Sequence, residues 1–272
     1  MTPINFGNIP IFTGNIMLRL CVTRSLPILI GITAALYGVN ACADSTLFTA
    51  LDDPSTAKQP FTGNIQAGYN SQSGNSNNSS LLADTTMTWF NRDAATAYSL
   101  WGTANNAESN GTRSAEKYQA GARTRYNVTT DNYMFGQVNW LNDRFAGYAS
   151  RTTGTAGYGR QIFSSPSQDL RVEFGPGIRH DEYREGGRST RALAYGAANY
   201  TYQLTKNTQF TQGVSALSNE DTSLNSETAL NVGINDAFSL RLSYNVTYNS
   251  EPPASAPKHT DRTSAITLQY NL

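Results

Sequence analysis

Cysteine is nearly missing from this chain. Its 272 residues hold two, Cys21 and Cys42, and both precede Ala43, where an export leader is read to end. The chain beyond Ala43 has material for neither a disulfide framework nor a thiolate centre. Histidine is equally scarce, with His180 and His259 as the whole supply. A serine hydrolase needs a base within reach of its nucleophile and a third group orienting that base. Neither histidine has a serine at strand spacing, and G-x-S-x-G is absent. No His, Cys and carboxylate group shows metal-ligand spacing, so the sequence implies neither metal nor cofactor. An excess of one charge is missing too. Lys+Arg 20 and Asp+Glu 20 cancel, which argues against a nucleic-acid partner.

Long apolar runs are also missing, apart from Leu26 to Leu36, which is too short for the roughly 20 residues of a membrane-spanning helix. Arg19 and Arg24 precede that run, and Ala41-Cys42-Ala43 follows it before Asp44. A basic stretch, a short apolar core and an A-x-A site make residues 1–43 a cleaved signal peptide, with Met17 as an alternative start. Val39-Asn40-Ala41-Cys42 matches a lipoprotein box poorly, because Asn is unusual there. Without Arg19 and Arg24 the exported chain is slightly acidic. Residues 44–60, with Pro54 and Pro60, read as a flexible periplasmic N-terminal extension.

From Phe61 onward a period of two takes over. Phe61, Gly63, Ile65, Ala67 and Tyr69 alternate with Thr62, Asn64, Gln66, Gly68 and Asn70. Leu81, Ala83, Thr85, Met87 and Trp89 repeat the pattern. So do Leu170, Val172, Phe174, Pro176 and Ile178, and Phe238 through Tyr248. The terminal segment does the same with Ile266, Leu268, Tyr270 and Leu272. One apolar and one polar face is the mark of a half-buried strand. Turn chemistry punctuates the runs at Asn91-Arg92-Asp93, Glu108-Ser109-Asn110-Gly111, Thr130-Asp131-Asn132, Glu185-Gly186-Gly187 and Asn235-Asp236.

About twelve strands result, many long enough to cross a hydrocarbon layer when tilted. The expected fold is all-β: a transmembrane antiparallel up-and-down β-barrel over residues 61–272. Lipid offers backbone groups no hydrogen bonds, so strands in a membrane must leave no free edge. A mean hydropathy of −0.44 agrees, since only alternate residues face lipid. With the first strand rising, the short even-numbered turns are periplasmic and the longest connections, including Ser250 to Asp261, lie outside. The competing fold is a soluble periplasmic β-protein that binds a ligand or partner. Its strands would be shorter, with no need for the unbroken apolar face of Phe238 to Tyr248.

A set of short motifs occurs in order along this region. They are Ser73-Gly74-Asn75, Asp143-Arg144-Phe145-Ala146-Gly147-Tyr148 with Arg151, Gly157-Tyr158-Gly159-Arg160, and Gly175-Pro176-Gly177-Ile178-Arg179. Ser226-Glu227-Thr228-Ala229-Leu230, Ser239-Leu240-Arg241-Leu242-Ser243-Tyr244, Asn249-Ser250-Glu251-Pro252-Pro253 and Asp261-Arg262-Thr263 complete the set. In these the chain resembles the YdiY-like family of salt-induced outer membrane proteins, a domain of unknown function. The resemblance runs from about Phe61 to Leu272 and implies an outer-membrane barrel, without implying a reaction or substrate. One departure is Leu272, where many barrels end in Phe.

Charged residues on the polar face carry the functional expectation. Arg113, Lys117, Arg123, Arg125, Arg171, Arg179 and Arg241, with Asp84, Glu173 and Glu227, are assigned to the lumen. Facing lipid near the midplane would cost each Arg or Lys about 2–4 kcal/mol. They either pair and plug the lumen, or line a narrow pore that favours anionic solutes. The expected role is non-enzymatic: envelope structure or a narrow passive channel, related to osmotic stress through the resemblance alone. An outer-membrane lipase is the weakest alternative. Expected partners are outer-membrane lipid and lipopolysaccharide, and the barrel-assembly machinery through the terminal strand ending Tyr270 and Leu272. Neither a nucleic-acid partner nor an oligomer is expected; the barrel reads as a monomer. Asp181, Glu182 and Glu185 read as a solvated acidic loop, both histidines as exposed at loop edges. Gly157-Tyr158-Gly159 and Gly175-Pro176-Gly177 open no helix and are no phosphate loops.

Overall fold

The period of two becomes a closed wall. The computed structural model describes residues 53–72, 78–145, 147–252 and 258–272. Its strands are β1 Phe61–Gln72, β2 Asn78–Phe90, β3 Thr96–Ser109, β4 Thr112–Asn127, β5 Asn132–Asp143 and β6 Tyr148–Ser164. They continue as β7 Gln168–Tyr183, β8 Arg188–Thr205, β9 Thr208–Ser218, β10 Thr222–Gly233, β11 Phe238–Asn249 and β12 Thr260–Asn271. Each pairs antiparallel with its sequence neighbours, and β12 returns to β1 to close a twelve-stranded barrel. The β1–β12 register runs Asn64 to Ala67 against Asn271 to Leu268. Closure gives the edge strands partners, which removes the free edge that hydrocarbon forbids. The leader, residues 44–52, Ser73-Gly74-Asn75, Ala146 and Pro253 to Pro257 lie outside the described residues.

Side chains divide by parity. Ile65, Leu100, Val138, Phe174, Ile178, Ile266 and Leu268 point outward and are exposed. In water so large an apolar surface would be a liability; against hydrocarbon it is the solvated face. Aromatic rings gather where strands meet the interfaces. At the end where β1 begins and β12 ends, Phe61 meets Trp89 with centroids 5.5 Å apart, and Phe238 meets Tyr270 at 5.2 Å. Toward the far end Tyr69, Tyr118, Trp140 and Tyr244 face outward. Two such belts are what a membrane barrel carries.

The strands are unequal. β6 and β8 have 17 and 18 residues, β4 and β7 16 each, whereas β9 has 11 and β10 to β12 have 12 each. At about 3.3 Å per residue, β4 and β6 to β8 outrun the layer they cross. Irregularities interrupt alternation locally. Between β3 and β4 the register steps from Ala107 opposite Ala115 to Glu108 opposite Arg113, leaving Ser114 over as a bulge.

Candidate functional site: a lumen packed on one side

The interior of β4 to β8 is filled. Tyr133, Phe135, Leu193, Tyr195 and Leu217 form a buried apolar cluster inside the barrel. Two glycines make room for rings of this size. A Cβ on Gly121 would run into the Trp101 ring, and one on Gly159 would run into Tyr133. Each ring therefore lies over the glycine that faces it in register on the neighbouring strand.

Charge is built into this packing as pairs. Arg123 contacts Glu173 directly and donates to Gln137 Oε1 at 2.9 Å. Glu173 also accepts from Tyr133 Oη at 2.7 Å and Tyr195 Oη at 3.3 Å. The Arg123 guanidinium lies 4.8 Å from the Phe135 ring, and that of Arg125 4.0 Å from the Tyr133 ring. Toward the far end a second network forms. Arg151 Nε meets Asp181 Oδ1 at 2.7 Å and Arg179 Nε meets Asp181 Oδ2 at 3.1 Å. Arg179 Nη2 then reaches Asp221 Oδ2 at 2.6 Å, with Arg191 at 3.7 Å. Two carboxylates are thus shared among three guanidinia, which is how buried charge is tolerated.

The end where β1 begins and β12 ends is partly covered from within. Pro54–Thr56 forms a single 3-10 turn, capped by Asp53 through Ser55 N at 2.9 Å. Asp53 also accepts from Asn127 Nδ2 at 2.7 Å and pairs with Arg125 at 3.4 Å. Ala57 packs against buried Phe90 and Ala97. Residues 53–57, expected to be a loose lead-in, are therefore docked onto the inner wall. Arg125 supplies a reason, since a buried guanidinium needs a carboxylate and Asp53 lies within reach. Burial pushes the Asp53 carboxyl up, but hydrogen bonds from Asn127 and Ser55 and the charge of Arg125 outweigh it and hold it below the usual range.

Across the barrel, β9 to β12 and β1 to β3 turn short polar side chains inward. Ser, Thr, Asn and Gln surround a cavity of about 590 Å³. A second cavity of about 650 Å³ lies at the mouth beside Ala57, Lys58 and Leu272. Both share Asn64, Thr86, Asp169 and Arg171 as walls, so the mouth leads into the lumen. Asp169 pairs with Arg171 at 2.9 Å, and Glu227 contacts Arg241, which donates to Asn231 at 3.0 Å.

The sequence-assigned residues separate accordingly. Lys117, Arg123, Arg125, Glu173 and Arg179 are buried in the packed side, with Lys117 opposite Asp143 in register. Asp84, Arg171, Glu227 and Arg241 line the cavity. Arg113 is a correction. The Ser114 bulge and the hairpin end leave it exposed, paired with Glu116 at 2.9 Å outside the lumen. Asp181 is another, because β7 extends through it and buries it among arginines instead of leaving it in a loop. His180 likewise lies within β7, opposite Thr190. Sequence reading missed Arg151, Asp221 and Asp53 as partners, and Trp101, Tyr133, Phe135 and Tyr195 as inward rings. Parity was the available signal for Asp181, two residues beyond Arg179. Nothing local marks an inward tyrosine.

The family model described as "Protein of unknown function, DUF481" matches residues 65–272. The chain belongs to this family. The uncharacterized protein YdiY of Escherichia coli (strain K12) is 52% identical over 250 residues, covering 92% of this chain and 98% of that protein. Solved structures of similar course include the NanC porin, at TM-score 0.45 and 9% identity over 77% of this chain and 97% of that one. Another is the COG4313 outer membrane channel from Pseudomonas putida F1, at TM-score 0.49 and 8% identity, covering 78% and 94%.

Proposed function

We propose that this chain is a non-enzymatic outer-membrane barrel offering small hydrophilic solutes a narrow passive route along its polar side. The observation that carries this reading is the asymmetric lumen: one wall filled by paired charges and aromatic rings, the other a polar cavity continuing to the mouth. The apolar exterior supports lipid and lipopolysaccharide as surroundings, and the terminal strand ending Tyr270 and Leu272 suits recognition by the assembly machinery. Each chain closes its own barrel, which favours a monomer. An osmotic-stress role remains what the family resemblance implies. The arginine surplus that suggested anionic solutes lies mainly in the packed side, where carboxylates compensate it.

Catalysis has little support. His180 Nδ1 lies 2.7 Å from Thr190 Oγ1, an ordinary cross-strand pair on the outer face. Glu182 is 4.0 Å from His180 and already engaged by Arg188 at 3.0 Å and Ser150 at 3.0 Å. Strand amides there are committed to the ladder, so they do not serve as an oxyanion hole.

Planar-bilayer recording on the purified, exported form tests the proposal. Discrete conductance steps, with liposome swelling in small sugars, are expected. A folded, inserted barrel that neither conducts nor swells liposomes would reduce the role to envelope structure.

A further inference from the structure

The charge of the passage differs from that of the lumen as a whole. The charged residues lining the 590 Å³ cavity are Asp84, Asp169 and Glu227 against Arg171 and Arg241. Arg171 is matched by Asp169 and Arg241 by Glu227. Asp84 remains. It stands opposite Gln66 of β1 and Thr103 of β3 in register, and among the described residues it has neither an ion pair nor a hydrogen bond. Arg241 is near enough to act on it electrostatically without forming a pair. Beside it, the buried Thr103 Oγ1 also has no hydrogen-bond partner. A carboxylate and a neighbouring oxygen, both facing a polar cavity and both unsatisfied by protein, have the chemistry of a weak cation ligand set. In a narrow low-dielectric passage one uncompensated charge weighs far more than in bulk water. Lys58 at the mouth is exposed and screened by salt.

We infer that Asp84 is the selectivity-determining residue of the passage, with Thr103 beside it, and that it favours small monovalent cations over anions. This rests on the reading of the barrel as a channel. It reverses the preference that the total of inward arginines suggests.

The test is the reversal potential of the purified barrel in a KCl gradient at about pH 8, well above the usual range of a carboxylate. The native protein should favour K⁺ over Cl⁻ by about threefold. Asp84→Asn, of equal size, should bring the ratio near one, and Asp84→Lys should invert it. Anion preference in the native protein, or an unchanged ratio in Asp84→Asn, overturns the inference. A silent barrel removes the channel reading, and thallium soaked into crystals then decides the site by itself. Thallium beside Asp84 in the native protein and missing from Asp84→Asn upholds it; an empty site in the native protein overturns it.

Discussion

The two sides of this barrel solve the problem of an interior differently. β4 to β8 enclose side chains large enough to meet in the middle. The buried charges Arg123, Arg125, Glu173, Arg179 and Asp181 each have a partner from another part of the chain. β9 to β12, with β1 to β3, turn mostly short polar side chains inward, and space is left. The four longest strands, β4 and β6 to β8, all lie on the packed side, with 16 to 18 residues each. Where the strands are long, the networks of Arg123 with Glu173 and of Arg151, Arg179 and Asp181 tie them together. Dense packing and open space are thus assigned to opposite walls, and a mutation's consequence depends on which wall it strikes.

The largest effect should come from breaking the packed side. Glu173→Ala strands Arg123 in a buried site and removes the acceptor for two tyrosines, a loss of about 3–5 kcal/mol. Urea unfolding followed by the heat-modifiable gel shift would read it, and a variant within 1 kcal/mol (roughly, the range of an exposed pair) would mean that the wall is wetter than its burial implies. Glu227→Gln on the open side is the matched comparison. Water can solvate Arg241 there, so about 1 kcal/mol or less is expected, with conductance altered instead. Charge reversal of Arg123 and Arg125 should therefore unfold the barrel before it reports on selectivity.

A finer cut is Tyr133→Phe, which deletes only the hydroxyl donated to Glu173. It should cost about 1–2 kcal/mol in the same unfolding assay, and an unchanged midpoint would show that Tyr195 and Arg123 suffice. The smallest effect concerns the docked N-terminal turn. The Asp53 carboxyl is held below its usual range, so its contribution is present above about pH 4, the unfolded value, and fades as pH falls through the folded one. Asp53→Asn should flatten that part of the acid-stability profile and cost about 0.5–1 kcal/mol near neutrality. Proteolysis of residues 44–60 should quicken in the variant; identical profiles would mean that the turn docks through Ala57 alone.

Much of the fold is legible in one dimension because a strand's period of two is a local property. Phe238 to Tyr248 declares its lipid face without knowing its neighbours, and Asn91-Arg92-Asp93 or Asn235-Asp236 announces reversal through its own side-chain chemistry. The same parity placed Arg123, Arg125, Arg171, Glu173, Arg179 and Arg241 inside. It failed at Arg113, where a bulge depends on the partner strand, and at Asp181, where the strand outlasts its apolar alternation.

The sequence by itself determined the twelve strands, their lipid-facing side and the inward direction of most charges, because alternation and turn propensity act between neighbours along the chain. Only tertiary structure decided which charges cancel. Arg123 finds Glu173 three strands away, Arg125 finds Asp53 from before the first strand, and Asp84 finds no ion-pair partner among the described residues. Pairing depends on distances across a closed ring, and those exist only once β12 has met β1.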